Sequence, residues 1–276
     1  MTKKLPSLNI DKDGILQDIK AFALDMDGTI YLDSIWIEGA KDFLNRVKES
    51  GRKLYFLTNN SSKDPNSYIK KLTEMGYPVD ESEIVTSGQA TIWYLKRYYY
   101  GKKVFLLGNH LLKNEFLKEG IELSDKDCDL VVVGFDTELT YDSMTKVCDL
   151  VRAGVPYIAT HPDYNCPTAT GFIPDAGAIM AFIKASAFRD PDIIIGKPNR
   201  TISDYLMERI RASGIEDINR EEIAMVGDRL YTDIAAGVNS GFKSILVLSG
   251  EATWKDAERS EVKPDLIYSS VKEMDI

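Results

Sequence analysis

The sequence predicts an α/β protein built around a mainly parallel sheet. Short apolar runs alternate with amphipathic stretches along the chain, the pattern of βαβ units. Several of those runs also stop abruptly at polar, chemistry-bearing residues, as strands do where open α/β sheets bind ligands. The expected strands are 21–25, 53–58, 103–107, 129–134, 156–160, 192–196, 222–226 and 243–248. Between them, Phe43, Leu44 and Val47 share a helical face ahead of Gly51. Met144, Val147, Cys148 and Val151 do so ahead of Gly154, and Ile202, Leu206 and Ile210 ahead of Gly214. Each apolar stripe at helical spacing thus runs into a glycine of the kind that commonly ends a helix.

Composition narrows the function classes. With 276 residues, 44% of them hydrophobic and 28% charged, the chain can bury one large core or two smaller ones. A formal net charge of -9 without any basic stripe excludes a nucleic-acid polymer as the expected partner. Residues 1–10 carry no apolar h-region, and no run approaches the ~18 apolar residues of a membrane span, so a cytoplasmic protein with no membrane partner is expected. Three widely spaced cysteines, Cys128, Cys148 and Cys166, form neither a disulfide framework nor a zinc knuckle.

Four strand ends carry the chemistry. They are Asp25-Met26-Asp27-Gly28-Thr29, Thr58-Asn59-Asn60, Lys197-Pro198 and Gly227-Asp228. Asp25 and Asp27, two apart, point to one side of an extended segment. One carboxylate can then attack phosphorus while the other moves protons. A carboxylate approaching a phosphate dianion meets repulsion of roughly 4 kcal/mol per unit-charge pair at ~4 Å and an effective dielectric near ~20. A Mg²⁺ ion held by acidic oxygens, Asp228 among them, would offset it. Lys197 supplies a second positive charge, and Thr58 and the Asn59 backbone can donate to phosphate oxygens.

Other readings fail on the residues. A calcium loop aligned on Asp25, Asp27 and Gly28 would place Ala23 at its first position and Ser34 at its twelfth, and the 9–14 segment puts Lys20 where the bidentate acid belongs. A cysteine phosphatase needs an arginine six positions after its nucleophile, where this chain has Gly134, Gly154 and Phe172. Two histidines, His110 and His161, do not make a multi-histidine metal site, and no GxSxG is present. The aromatic clusters Trp93-Tyr94 and Tyr98-Tyr99-Tyr100 read as core or interface residues at helical spacing.

Together, "DMDGT", "LTNN", "GKP" and "VGDRLYTDI" resemble the haloacid dehalogenase superfamily, and more narrowly its NagD or p-nitrophenylphosphatase type of sugar phosphatase. The resemblance spans essentially the whole chain. It implies a Rossmann-like parallel-sheet catalytic core, residues 1–86 and 190–276, with an inserted α/β cap, residues 87–189, that closes over the core and selects the substrate. Asp25 would be the nucleophile forming an aspartyl-phosphate, and Asp27 the general acid and then base. The Asp25 carboxylate, the Asp27 carbonyl and Asp228 would hold Mg²⁺ with Asp233 in support, and Thr58, Asn59, Asn60 and Lys197 would hold the phosphate. Residues 159–178 resemble the family's specificity loop, with Asp163 in it; His161 stands where relatives commonly have asparagine and Asp175 where they commonly have glycine. Both are expected either to contact a substrate hydroxyl or to face solvent.

The implied reaction is hydrolysis of a small phosphorylated metabolite: a sugar phosphate, nucleotide or aryl phosphate. Phosphotransfer to a second substrate, as in mutases of the superfamily, is the alternative, and a non-catalytic binding module has no need of both Asp25 and Asp27. Dehalogenation needs the first carboxylate but no Mg²⁺ site. Caps of this kind often pair in relatives, so a homodimer is among the implied partners.

Overall fold

The computed structural model describes residues 5–168 and 170–276. Residues 1–4, in the stretch read for a leader, and Ala169, inside the 159–178 segment, lie outside the described residues. The chain forms two compact units, one of Met1–Thr58, Ile69–Val85 and Lys197–Ile276 and the other of Asn59–Tyr68 and Thr86–Gly196.

The first unit is built on a six-stranded sheet ordered Leu266–Tyr268, Lys243–Val247, Ile223–Gly227, Ala21–Leu24, Lys53–Thr58, Ile84–Thr86. The Ala21–Leu24 strand pairs in parallel with both Lys53–Thr58 and Ile223–Gly227. All four of its residues are buried, without alternation, as expected of a parallel strand covered on both faces. Helices Ala40–Glu49 and Arg200–Ala212 bury the apolar stripes read from the sequence: Phe43, Leu44 and Val47 in one, Ile202, Leu206 and Ile210 in the other. Phe22 meets Phe43 edge to face, ring centroids 5.8 Å apart. Because Leu24 is level with Phe56 on one side and Val226 on the other, Asp25, Thr58 and Asp228 all emerge at the same end of three adjacent strands.

The second unit carries a parallel four-stranded sheet ordered Ile193–Ile194, Tyr157–Ala159, Leu130–Val133, Val104–Leu107. Helices Tyr141–Arg152 and Ala176–Ala187 cover it, and Met144, Val147, Cys148 and Val151 join Phe105, Val131 and Ile183 in the core. An antiparallel hairpin pairs Asn165–Thr168 with Gly171–Pro174. Tyr94 lies against Tyr98 and Tyr99, with centroids 4.6 and 6.1 Å away, while Tyr98 and Tyr100 are exposed and Ile92 and Leu95 are buried.

Several features differ from the sequence expectation. The run 192–196 forms only the two-residue strand Ile193–Ile194, paired with Ile158 and Ala159 in the second sheet. Lys197 therefore follows a strand of the other unit, and the first unit resumes at Lys197 instead of residue 190. Residues 59–68 belong with the second unit. The strands Ile84–Thr86 and Leu266–Tyr268 and the Tyr31–Leu32 and Ile35–Trp36 hairpin were not anticipated, since two or three residues are too few to display a period. Among the described residues no helix is long and apolar enough to cross a membrane.

Packing of this kind makes the central strand the sensitive element. Phe22→Ala, at a fully buried ring, should cost about 3–5 kcal/mol, whereas Ile35→Ala should stay within about 0.5 kcal/mol. Thermal unfolding of the two variants checks the difference, and equal shifts would contradict the burial pattern.

Candidate active site

The strand ends of the first unit bring carboxylates together faster than they bring cations. One carboxylate oxygen from each of Asp25, Asp228 and Asp233 lies within 4.8 Å of the others. Asp25 is fixed at its strand tip by its own N–H, which donates to the Val226 carbonyl at 2.9 Å. Met26 C=O then accepts from the N–H groups of Thr29 and Ile30 at 3.2 and 2.9 Å, curling the chain so that Asp27 and Gly28 turn back on Tyr31. Asp27 is half-buried there, and its side chain is not one of the three clustered carboxylates.

Lys197 is the counter-charge. Only 2% exposed, its ammonium donates to Asp25 Oδ1 at 2.5 Å, Asp233 Oδ1 at 2.6 Å and the Leu57 carbonyl at 3.0 Å. Burial pulls the lysine pKa down, but Asp233 and Asp25 outweigh it and hold the group above the ordinary lysine range. Arg229 behaves similarly: burial opposes its charge, and Asp25, Asp228 and Asp233 together restore it. Its Nε lies 3.0 Å from Glu251.

Asp228 sits in a cradle that only glycine permits. A Cβ on Gly28 would come within 2.3 Å of Asp228 Oδ2, and one on Gly250 within 2.0 Å. Gly28 also has a φ of +85°, which side chains with a Cβ rarely adopt. Gly227 gives the same clearance to Asp233, whose Cβ is 2.3 Å from where its own would stand. Held this way, Asp228 Oδ2 accepts from the Glu251 N–H at 2.7 Å. Its Oδ1 is buried and has no hydrogen-bond partner among the described residues. Burial, then the charge of Asp25, raises the Asp228 pKa; burial raises that of Asp233 despite Lys197.

That orphaned oxygen and the excess of carboxylates form a donor set suited to a hard divalent cation. Asp25, Asp228 and Asp233 are the residues that could hold one. The sequence reading gave Asp233 only a supporting place; here its carboxylate belongs to the same cluster. The Ser249-Gly250-Glu251 turn was missed. It follows the 243–248 run, so a fifth polar strand end was present in the sequence. Ser249 Oγ donates to the Gly28 carbonyl at 2.8 Å and ties the two turns together.

The remaining predicted residues fall in two groups. Thr58, 8% exposed, ends its strand in the first unit. Asn59 and Asn60 belong to the second: Asn59 Nδ2 donates to both oxygens of Asp163 at 3.1 and 3.2 Å, and Asn60 Oδ1 accepts from the Ser62 N–H and hydroxyl at 2.9 and 2.8 Å. His161 and Asp175 do not face solvent. They are buried against each other, Nε2 to Oδ1 at 2.8 Å, with His161 Nδ1 2.9 Å from Thr160 Oγ1 and Asp175 accepting from Ala176 N–H at the start of its helix. Their apparent polarity in the sequence serves an internal hydrogen-bonded pair, which pins the loop to the helix.

Comparison with known proteins identifies the family of the chain. The haloacid dehalogenase-like hydrolase model matches residues 22–122, and a HAD-hydrolase-like model matches residues 194–274. An acid sugar phosphatase of Staphylococcus aureus is 34% identical over 94% of this chain and 97% of its own. Among solved structures, a 4-nitrophenylphosphatase from Thermotoga maritima is 45% identical with a TM-score of 0.89, covering 94% of this chain and 97% of that one. NagD from Escherichia coli K-12 is 34% identical with a TM-score of 0.85, covering 93% and 98%. The chain belongs to the haloacid dehalogenase-like hydrolases, and within them it is of the NagD and p-nitrophenylphosphatase type.

If the acid cluster takes a divalent cation, Mg²⁺ should raise the melting temperature of the whole protein, because a ligand of the folded state stabilises it. Gly250→Val, which drives a side chain into Asp228, should abolish most of that rise. The rise should also shrink on acidification from pH ~8 to pH ~5, since protons compete for raised carboxylates. An undiminished rise in the valine variant would remove Asp228 from the cation site.

Proposed function

Starting from a haloacid dehalogenase-like hydrolase, we propose that this chain hydrolyses small phosphorylated metabolites through a phosphoryl group carried on Asp25, with Mg²⁺ in the acid cluster. The observation that carries the reading is the Asp25 carboxylate held by a buried Lys197 within a set of three converging carboxylates. The printed names of relatives, acid sugar phosphatase and 4-nitrophenylphosphatase, favour sugar and aryl phosphates as substrates.

The ion, when bound by Asp25, Asp228 and Asp233, supplies positive charge against the approach of a carboxylate to a phosphate dianion. Every other role falls to the chain. Lys197 orients Asp25 and offsets part of its charge, at a position already organised before substrate arrives. Asp25 attacks phosphorus, the P–O ester bond breaks, and the departing alkoxide takes a proton from Asp27. Water then attacks the aspartyl-phosphate and gives its proton to Asp27, releasing inorganic phosphate and restoring Asp25. Thr58, at the neighbouring strand tip, donates its hydroxyl to a phosphate oxygen. Asp233, bonded to the Lys197 ammonium, keeps that side chain from swinging away.

Asp25→Asn should abolish phosphate release from p-nitrophenyl phosphate and from a panel of sugar phosphates, measured with Mg²⁺ and with excess chelator. Turnover near wild type in that variant would overturn the mechanism. Lys197→Ala should lower kcat by on the order of 10²-fold. A loss below about threefold would mean that another cation, Arg229 being the nearest in kind, serves in its place.

A further inference from the structure

The first unit has a cleft at the opposite end of the Lys53–Thr58 strand from Thr58. About 560 Å³ in volume, it lies in the size range of small-molecule sites. A six-residue strand separates its rim residue Lys53 from Thr58 by ~17 Å, so the cleft is not an extension of the acid cluster. Its lining carries four cations, Lys48, Arg52, Lys53 and Arg209, against two carboxylates, Asp80 and Glu83. That is a local positive excess in a chain of formal net charge -9.

The four cations are not equivalent. Lys48 is paired with Glu83 at 2.7 Å, and Arg209 donates to the Tyr205 hydroxyl at 2.8 Å and to the Ser82 carbonyl at 2.9 Å. Those two hold the walls. The ends of the two helices that border the cleft are closed by their own serines: Ser50 Oγ donates to the Val47 carbonyl at 2.7 Å and Ser213 Oγ to that of Ile210 at 2.8 Å. Arg52 and Lys53 have no side-chain hydrogen bond or ion pair among the described residues. Arg52 Nη1 is moreover buried from water without a partner. The half-buried Arg52 lines the cleft with a guanidinium that the described residues do not hold, which leaves its hydrogen-bonding capacity for an acceptor from outside the chain. Arginine's fork suits a phosphate or carboxylate, and an adjacent lysine adds a point charge. Tyr55, which is buried and whose hydroxyl meets Ser213 Oγ at 3.2 Å, is part of the cleft wall.

We propose that this cleft is a second ligand site, in which Arg52 and Lys53 bind the phosphate or carboxylate group of a small polar metabolite. The ligand approaches from the amino-terminal end of the sheet, so its binding is independent of the acid cluster and of the reaction assigned to it.

The test is amide NMR shift mapping on the full-length protein, freed of metal by chelator, titrated separately with inorganic phosphate and with succinate. Either anion should move the resonances of Gly51, Ser82 and Ser213 along a saturating curve. The double variant Arg52→Gln/Lys53→Gln should weaken that curve by about tenfold or more, which is ~1.4 kcal/mol. Ala212→Trp, which fills the exposed lip of the cleft and keeps both cations, should weaken it too, so a folding defect in the double variant does not decide the matter. Response to phosphate alone assigns a phosphoryl ligand, and response to both assigns a general oxyanion site. Cleft resonances that stay still up to tens of millimolar anion, or that move equally in both variants, would overturn the proposal.

Discussion

One buried ammonium among three converging carboxylates is the constraint on which the rest of the structure depends. Lys197 touches Asp25 and Asp233 at hydrogen-bond distance, while Asp228 stands close by with one oxygen that has no partner among the described residues. Burying an ion pair is costly even when the geometry is good, and burying surplus negative charge is costlier. A fold optimised only for stability would not retain such a cluster. The cluster is intelligible if the surplus is the working part, preorganised negative charge that a divalent cation would offset.

The fold serves that cluster by geometry more than by chemistry. Parallel pairing with Leu24 level with Phe56 and Val226 sets three strand tips side by side. Glycines at 28, 227 and 250 then let the carboxylates of Asp228 and Asp233 press directly against backbone. The same pairing explains why the central strand is apolar through all four residues and turns charged in a single step at Asp25. Hydrophobic burial fixes where the strand ends, and the end fixes where the acid stands.

Much of this was legible in the sequence because it was periodic or abrupt. The apolar stripes of the 40–49, 141–152 and 200–212 helices, and the change from Leu24 to Asp25, report directly on burial. What was not legible depended on contacts between distant segments. The 192–196 run looks like any other strand, and only its pairing with Ile158 and Ala159 assigns it to the second sheet. His161 and Asp175 read as loop polars that touch substrate or water, because nothing local shows that each buries the other. The part that Gly250 plays is similarly invisible until Asp228 is placed against it.

The central claim is that Asp25 carries the phosphoryl group, and the direct measurement is to trap it there. The full-length protein would be mixed with p-nitrophenyl phosphate and Mg²⁺, quenched in acid within the first turnovers, digested, and its peptides mapped by mass. The account predicts one added phosphoryl group on the peptide containing Asp25, appearing before steady-state phosphate release and absent from Asp25→Asn. A phosphoryl group on any other peptide, or rapid turnover with no protein-bound phosphoryl at any time, would contradict it.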